Sequence, residues 1–174
     1  MKTIFAAAAT ALLAACQSAP QQSTEPLRAT AGLQPTKGSK AFGEATFEPA
    51  NGKVRVVVFA QGLTPNRDHG FHIHEVGDCS SGDGMSTKGH FNPQGKPHGN
   101  PAAGERHAGD LPALKADKSG RAKLDATVDL ITLTPGPSSI IGRGLIIHAD
   151  PDDYKTQPTG NAGARIACGV IRAG

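Results

Sequence analysis

HGFHIHEVGDC (residues 69–79), GHFNP (89–93) and HGNPAAGERHAGD (98–110) form the stretch around which the rest of this chain is organised. Of the chain's seven histidines, only His148 lies outside it; the others are His69, His72, His74, His90, His98 and His107. Histidine is the commonest metal ligand in proteins, because a neutral imidazole binds an ion through one nitrogen while the protein anchors the other. A cluster this dense predicts a metal site.

The spacing of the first two histidines of this stretch sharpens the prediction. His72 and His74 are one residue apart, so on an extended strand both imidazoles point to the same face. Phe71 and Ile73 then point to the opposite face, toward a core. The alternative interpretation of a lone H-x-H motif is a pair of surface histidines. The further histidines and the aspartate that follow argue against it here.

Composition limits the class of fold and of partner. The chain has 174 residues, enough for one domain with additional segments. It contains 22 Gly and 13 Pro with only 4% aromatic residues, which favours a β-rich, loop-rich fold over a helical bundle. The formal charge of +3 and the lack of a basic cluster argue against nucleic acid as a partner.

Short apolar-rich runs alternate with turn signals along the chain after the N-terminal segment. Asn51-Gly52 between two such runs predicts a two-residue hairpin. We expect about eight strands in an antiparallel sandwich or flattened barrel, at residues 27–33, 41–48, 54–60, 70–75, 111–115, 121–128, 145–149 and 164–171. Residues 76–110 lack a convincing strand, and we interpret them as a functional loop ordered by metal ligands and a disulfide.

The N-terminus has the pattern of an export signal. Lys2 supplies a positive charge, and residues 4–13 form an apolar run too short to span a membrane. Leu13-Ala14-Ala15-Cys16 resembles a bacterial lipobox, whose cysteine is lipidated; the alternative is ordinary secretory cleavage nearby. Gln17, rather than an aspartate, follows the cysteine. We therefore predict a protein of the bacterial periplasm or cell envelope, lipid-anchored to the outer membrane.

These features divide the chain into three parts. We expect a lipoprotein signal peptide at residues 1–15, a polar, flexible tether at 16–26, and one folded domain at 27–174. If Cys16 is lipidated, the remaining pair, Cys79 and Cys168, is expected to form a disulfide in an oxidising compartment. The alternative is two free buried thiols.

Four motifs together resemble one known family. They are GFHIHEVGD (70–78), GHFNP (89–93), H-x8-H-x2-D (98–110) and GNAGARIACGVI (160–171). Over about residues 27–174 the chain resembles the copper,zinc superoxide dismutases, in particular exported bacterial members. The resemblance implies an all-β fold: an eight-stranded antiparallel Greek-key flattened barrel, an immunoglobulin-like sandwich, with long metal-binding and active-site loops.

The resemblance also implies an activity and its residues. Superoxide would be dismutated to dioxygen and hydrogen peroxide by alternating reduction and reoxidation of a His-ligated copper, beside a structural zinc, with one ion of each kind per subunit. The implied copper ligands are His72, His74, His90 and His148. The implied zinc ligands are His90, His98, His107 and Asp110, so that His90 bridges both ions and is catalytic together with the anion-guiding Arg165.

Three further roles follow from the same resemblance. Asp152 would hydrogen-bond one copper ligand and one zinc ligand, although a solvated turn is the alternative for one of two adjacent aspartates. Cys79 and Cys168 would form the intrasubunit disulfide. His69 would bind backbone rather than metal.

The residue types agree with these roles. Four nitrogen ligands suit Cu(II), and three histidines with one aspartate suit a structural zinc. Arg165 offers a permanent charge and a planar donor fork for a small anion, whereas a surface salt bridge is its alternative role. A binding module that buffers copper or zinc without turnover is the rival function.

The chain departs from eukaryotic members after Asp153, where residues 154–158 replace a longer loop with steering charges. Lys96 and Lys155 are candidates to replace them, and the sequence does not decide between the two. The expected partners are superoxide, the membrane through an N-terminal lipid only, and a second copy in a homodimer, although monomers also occur among bacterial relatives.

Overall fold

The structure is a computed structural model that describes residues 27–174. The predicted signal peptide, Cys16 and the tether lie outside the described residues. The elements in the described part are β1 (Ala29–Pro35), β2 (Phe42–Ala50), β3 (Lys53–Gln61), β4 (Asp68–His69), β5 (Phe71–His74), a 3-10 turn (Met85–Thr87), β6 (Leu114–Lys115), β7 (Ala122–Val128), β8 (Gly144–His148), β9 (Arg165–Val170) and β10 (Arg172–Ala173). Within residues 27–174, no helix has the length and apolar composition needed to cross a bilayer.

Eight of the strands form one curled antiparallel sheet. Its order is β5-β8-β9-β1-β2-β3-β7, and β10 also pairs with β1. β1 changes partner along its length, from β2 over Ala29–Leu33 to β9 at Gln34 and Pro35. The remaining strands, β4 and β6, form a two-stranded sheet, with β6 packed beside β7. The predicted all-β, antiparallel fold is confirmed.

The sequence alternation explains the central strands. In β3 the residues Val54, Val56, Val58 and Ala60 are buried, while their neighbours face outward, as expected of a strand with one solvated face. β3 is joined to β2 by Asn51 and Gly52, whose φ angles of 50° and 77° suit the tight hairpin that the sequence predicts.

Two elements differ from the predicted strands because they are too short to show a pattern. The strand expected at 111–115 is only Leu114–Lys115, and it pairs with β4, which the sequence did not predict. The strand expected at 164–171 ends at Val170, and Arg172 and Ala173 pair separately with β1. Neither change moves a histidine of the cluster.

The long loop that follows β5 is tied to two strands of the sheet, β9 and β5. Cys79 and Cys168 form a disulfide with an S–S distance of 2.03 Å, so the predicted bond is confirmed. It ties the start of the loop to β9. Beyond it, the 3-10 turn leads to His90, which forms an isolated bridge with His74 of β5. The loop therefore lies across β5, whose four residues are all buried.

Candidate metal centre

Four histidines meet at the covered face of β5 and β8. His72 and His74 are on β5, His148 ends β8, and His90 follows the 3-10 turn. All four are buried, and they each offer one nitrogen to a group in which these atoms lie within 4.8 Å of one another. Phe71 and Ile73 point to the core, as the alternation predicts.

One nitrogen of each of these imidazoles has no hydrogen-bond partner within the described part of the chain. These atoms are His72 Nδ1, His74 Nε2, His90 Nε2 and His148 Nε2. The other nitrogens are anchored, for example His74 Nδ1 at 2.9 Å from the Lys88 carbonyl oxygen and His148 Nδ1 at 3.2 Å from that of Gly163. Buried polar atoms without partners are costly, so four of them converging on one point fit a metal ion.

The electrostatics of this group favour neutral imidazoles. Burial lowers the pKa of His72, lowers those of His74 and His148 well below the usual value, and lowers that of His90 to about 4. A neutral imidazole keeps the lone pair that a metal ligand needs. Four nitrogen donors are the ligand type and number that Cu(II) prefers.

A second group contains three histidines and one carboxylate. Asp110 Oδ1 lies 2.8 Å from His90 Nδ1, 3.0 Å from His98 Nδ1 and 3.5 Å from His107 Nδ1. Its Oδ2 accepts hydrogen bonds from the backbone N–H groups of Gly99 and His107, at 3.1 and 2.9 Å. Although burial raises the pKa of Asp110, hydrogen bonds from the three histidines outweigh it and keep the carboxylate ionised. The donor set suits a closed, structural zinc site.

His90 belongs to both groups. Its Nδ1 faces Asp110, and its unpartnered Nε2 faces the first group, where the centroid of its ring lies 3.9 Å from that of His72. One imidazole thus separates the two groups and offers a nitrogen to each.

Asp152 connects the groups a second time. Its Oδ2 accepts a hydrogen bond from His72 Nε2 at 2.7 Å, and its Oδ1 accepts one from His98 Nε2 at 2.9 Å. These bonds leave His72 Nδ1 and His98 Nδ1 free to face their groups. Burial opposes the charged form of His98, but its bonds to Asp110 and Asp152 outweigh burial and raise its pKa to about 9.

Gly160 makes room for this carboxylate. Its φ is +68°, and a Cβ at this position would overlap Asp152 Oδ1 and crowd His98 Nε2. A side chain here is therefore excluded both by the backbone conformation and by contact.

Arg165 stands at the edge of the first group. It is the cross-strand neighbour of His148, and its guanidinium donates to the carbonyl oxygens of Gly84 and Lys88, at 2.7 and 2.6 Å. Within residues 27–174 it forms no salt bridge, so its charge is not paired with a carboxylate. Partial burial lowers its pKa, the charge of Asp83 opposes this, and the group stays protonated at neutral pH.

The family profile described as copper/zinc superoxide dismutase matches residues 41–171. The chain belongs to the copper/zinc superoxide dismutase family. It is 43% identical over 155 residues to "Superoxide dismutase [Cu-Zn] 2" of Aquifex aeolicus, covering 86% of this chain and 89% of that protein. It is 44% identical over 155 residues to "Superoxide dismutase [Cu-Zn]" of Paramecium bursaria Chlorella virus 1, covering 85% and 79%.

A solved structure has a similar fold. The crystal structure of the clock protein EA4 superimposes with a TM-score of 0.77 at 44% identity, covering 86% of this chain and 96% of that one. As a copper/zinc superoxide dismutase, the chain is an oxidoreductase that converts superoxide to dioxygen and hydrogen peroxide, with copper and zinc as its cofactors.

The remaining candidate residues of this superoxide dismutase have clear positions. His69 lies in neither group; its Nδ1 donates to the His148 carbonyl oxygen at 2.7 Å. Lys96 is paired with Glu105 at 3.2 Å, which reduces its value as a steering charge. Thr87 and Gln157 both contact ligand-bearing segments, although neither was predicted as a site residue. Neither belongs to a motif or a ligand-type residue class, so the sequence held no signal for them.

Proposed function

We propose that this chain dismutates superoxide at a copper ion held by His72, His74, His90 and His148. In this proposal zinc is held by His90, His98, His107 and Asp110. The observation that supports it most is the set of four buried, unpartnered nitrogens beside a second ligand group that shares His90. Copper supplies the one-electron redox chemistry when bound, and zinc adds charge and rigidity.

The chain's own residues then bind the substrate and handle protons. Arg165 attracts the superoxide anion with its unpaired charge and orients it with the guanidinium fork. Such electrostatic guidance raises association rates by about 10- to 1,000-fold. We infer that His90 Nε2, which faces the first group, is an atom at which a proton is held and passed on.

Zinc has a structural role in this proposal. His98, His107 and Asp110 all lie on the long loop that covers β5, so an ion held by them would fix this loop to the sheet. Asp152 would keep His72 and His98 in the tautomers and ring orientations that ligation requires.

We also propose a location in the bacterial cell envelope. The lipobox-like sequence at Leu13–Cys16 and the disulfide between Cys79 and Cys168 support export, because disulfides persist in oxidising compartments. Mass spectrometry of the mature N-terminus tests this: a diacylglyceryl-modified Cys16 is expected, and an unprocessed Met1 contradicts it.

The homodimer stays a prediction that analytical ultracentrifugation checks.

The decisive test of function is superoxide consumption by the metal-loaded protein. We expect turnover that falls with ionic strength, and that slows and loses most of this salt dependence in Arg165→Ile. Arg172→Ile, which removes the same charge from the exposed strand β10, is the matched control and should behave like the wild type. Absence of turnover with both ions bound would favour a metal-buffering protein instead.

A further inference from the structure

The 3-10 turn between the disulfide and His90 contains a polar side chain that is completely buried. Thr87 has 0% exposed surface, although its turn neighbour Met85 is 60% exposed. A buried hydroxyl in a surface loop requires hydrogen-bond partners, because leaving it without any is costly.

The hydroxyl of Thr87 uses its full bonding capacity, which is one donor and two acceptor sites. It donates to the Gly84 carbonyl oxygen at 2.8 Å and accepts from Arg165 Nη1 at 2.9 Å. Its third neighbour is His74 Nδ1 at 3.2 Å. Because this nitrogen also faces the Lys88 carbonyl oxygen, it carries the proton and shares it between the two acceptors.

Two glycines shape the space that Thr87 occupies. A Cβ on Gly144, the cross-strand neighbour of His74, would lie 3.0 Å from the Thr87 Cβ and 2.9 Å from its methyl carbon. A Cβ on Gly84 would lie 3.2 Å from the Arg165 Cβ and Cδ. The turn can therefore approach both β8 and Arg165 closely enough for the hydroxyl to reach its three partners.

We propose that Thr87 is a positioning residue that fixes the Arg165 guanidinium at a set place relative to the copper ligand His74. The other hydrogen-bond acceptors of this guanidinium, within the described residues, are the backbone carbonyls of Gly84 and Lys88. Thr87 is the side chain that contacts both the guanidinium and the imidazole. The inference rests on the proposed role of Arg165 as the anion guide.

The test removes the hydroxyl and then restores it. Thr87→Val keeps the shape of the side chain without its hydroxyl, and Thr87→Ser keeps the hydroxyl without the methyl group. Ser86→Ala is the matched control, because Ser86 belongs to the same turn but its hydroxyl bonds the Asp78 carbonyl oxygen and Ser81. All are made in the full chain loaded with copper and zinc, and intact folding is checked by the melting temperature.

The first measurement is the affinity for azide, a small monovalent anion that ligates copper, by optical titration. We expect azide to bind about 10- to 150-fold more weakly to Thr87→Val, as for one lost hydrogen bond to a charged group. Thr87→Ser and Ser86→Ala should bind it as the wild type does.

The second measurement is nitrogen NMR of the reduced, diamagnetic holoenzyme, in which the Arg165 guanidinium should rotate faster only in Thr87→Val.

The outcomes distinguish the inference about Thr87 from the proposed role of Arg165 as the anion guide. If Arg165→Ile weakens azide binding but Thr87→Val does not, the inference about Thr87 is wrong and the role of Arg165 stands. An equal loss in Thr87→Val and Thr87→Ser also overturns it, because the hydroxyl is then not the cause. If Arg165→Ile leaves azide affinity unchanged, the proposed guiding role itself fails.

Discussion

At the scale of single residues, the adjacent aspartates 152 and 153 show how position decides role. Asp152 is buried and bonds an imidazole from each ligand group. Asp153 is exposed, and its side chain accepts hydrogen bonds from Lys155 and Thr156 of its own turn. The sequence alone left open whether Asp152 was part of a solvated turn. The contacts place it between His72 and His98.

This difference predicts opposite results for two isosteric substitutions. In Asp152→Asn one of the two imidazoles would face an amide N–H group instead of an acceptor oxygen, so its tautomer is no longer fixed. We expect metal affinity to fall about 10- to 100-fold, measured by competition with chelators. Asp153→Asn, the matched control, should stay close to the wild type; an equal loss in both variants would contradict the assignment.

At the scale of elements, the loop between β8 and β9 is hydrogen-bonded to the long loop at residues 76–110. The Gln157 side chain accepts a hydrogen bond from the His98 backbone N–H at 2.9 Å and donates one to the His98 carbonyl oxygen, also at 2.9 Å. Together with Asp152, it fixes the backbone and the imidazole of the same residue. The loop after β8 thus contacts His98, a member of the second ligand group.

Gln157→Ala should loosen this contact without touching a ligand. Loss of two neutral hydrogen bonds of about 1 kcal/mol each predicts roughly 30-fold faster zinc release. Amide hydrogen exchange at His98 should accelerate in parallel, while copper affinity stays unchanged. Gln94→Ala provides the control, since the one side-chain hydrogen bond of Gln94 within residues 27–174 goes to Ser138, at 3.4 Å. Zinc release from Gln157→Ala at the wild-type rate would show that the hydrogen bonds between Gln157 and His98 do not retain the ion.

At the scale of the whole molecule, the disulfide joins parts of the chain that are far apart in sequence. Cys79 and Cys168 are separated by 89 positions, and the bond links the start of the long loop to the strand that carries Arg165. The disulfide acts alongside the hydrogen bonds from Arg165 of β9 to the Gly84 and Lys88 carbonyl oxygens of this loop segment. The disulfide therefore restrains both the unfolded chain and the loop that contains Thr87.

Replacement of both cysteines by serine should lower the free energy of unfolding by about 2–5 kcal/mol, because the unfolded chain gains the entropy of an open loop. Urea denaturation of the metal-free protein measures it. A reductant should bring the wild type to the same stability and leave the double variant unchanged. An unchanged midpoint in the variant would mean that the folded state is strained by the bond.

The sequence predicted those features that depend on residue type and regular spacing. The alternation in 54–60 predicted β3, and Asn51-Gly52 predicted the hairpin before it. The H-x-H motif predicted that His72 and His74 share one face of a strand. β4 and β10 were missed because two residues carry no periodic signal. Thr87 was missed because its role arises only where the turn meets His74 of β5 and Arg165 of β9, and no local sequence pattern encodes that contact.

The carboxylate of Asp152 and the ring of His90 each span both ligand groups, so two ions bound there would be thermodynamically linked. If occupation of one site strengthens binding at the other by some factor, the reverse effect must have the same magnitude. The total free energy of binding copper and zinc should therefore be the same whichever metal is titrated into the metal-free protein first. If that factor is greater than one, a shortage of either metal would also lower the occupancy of the site for the other metal.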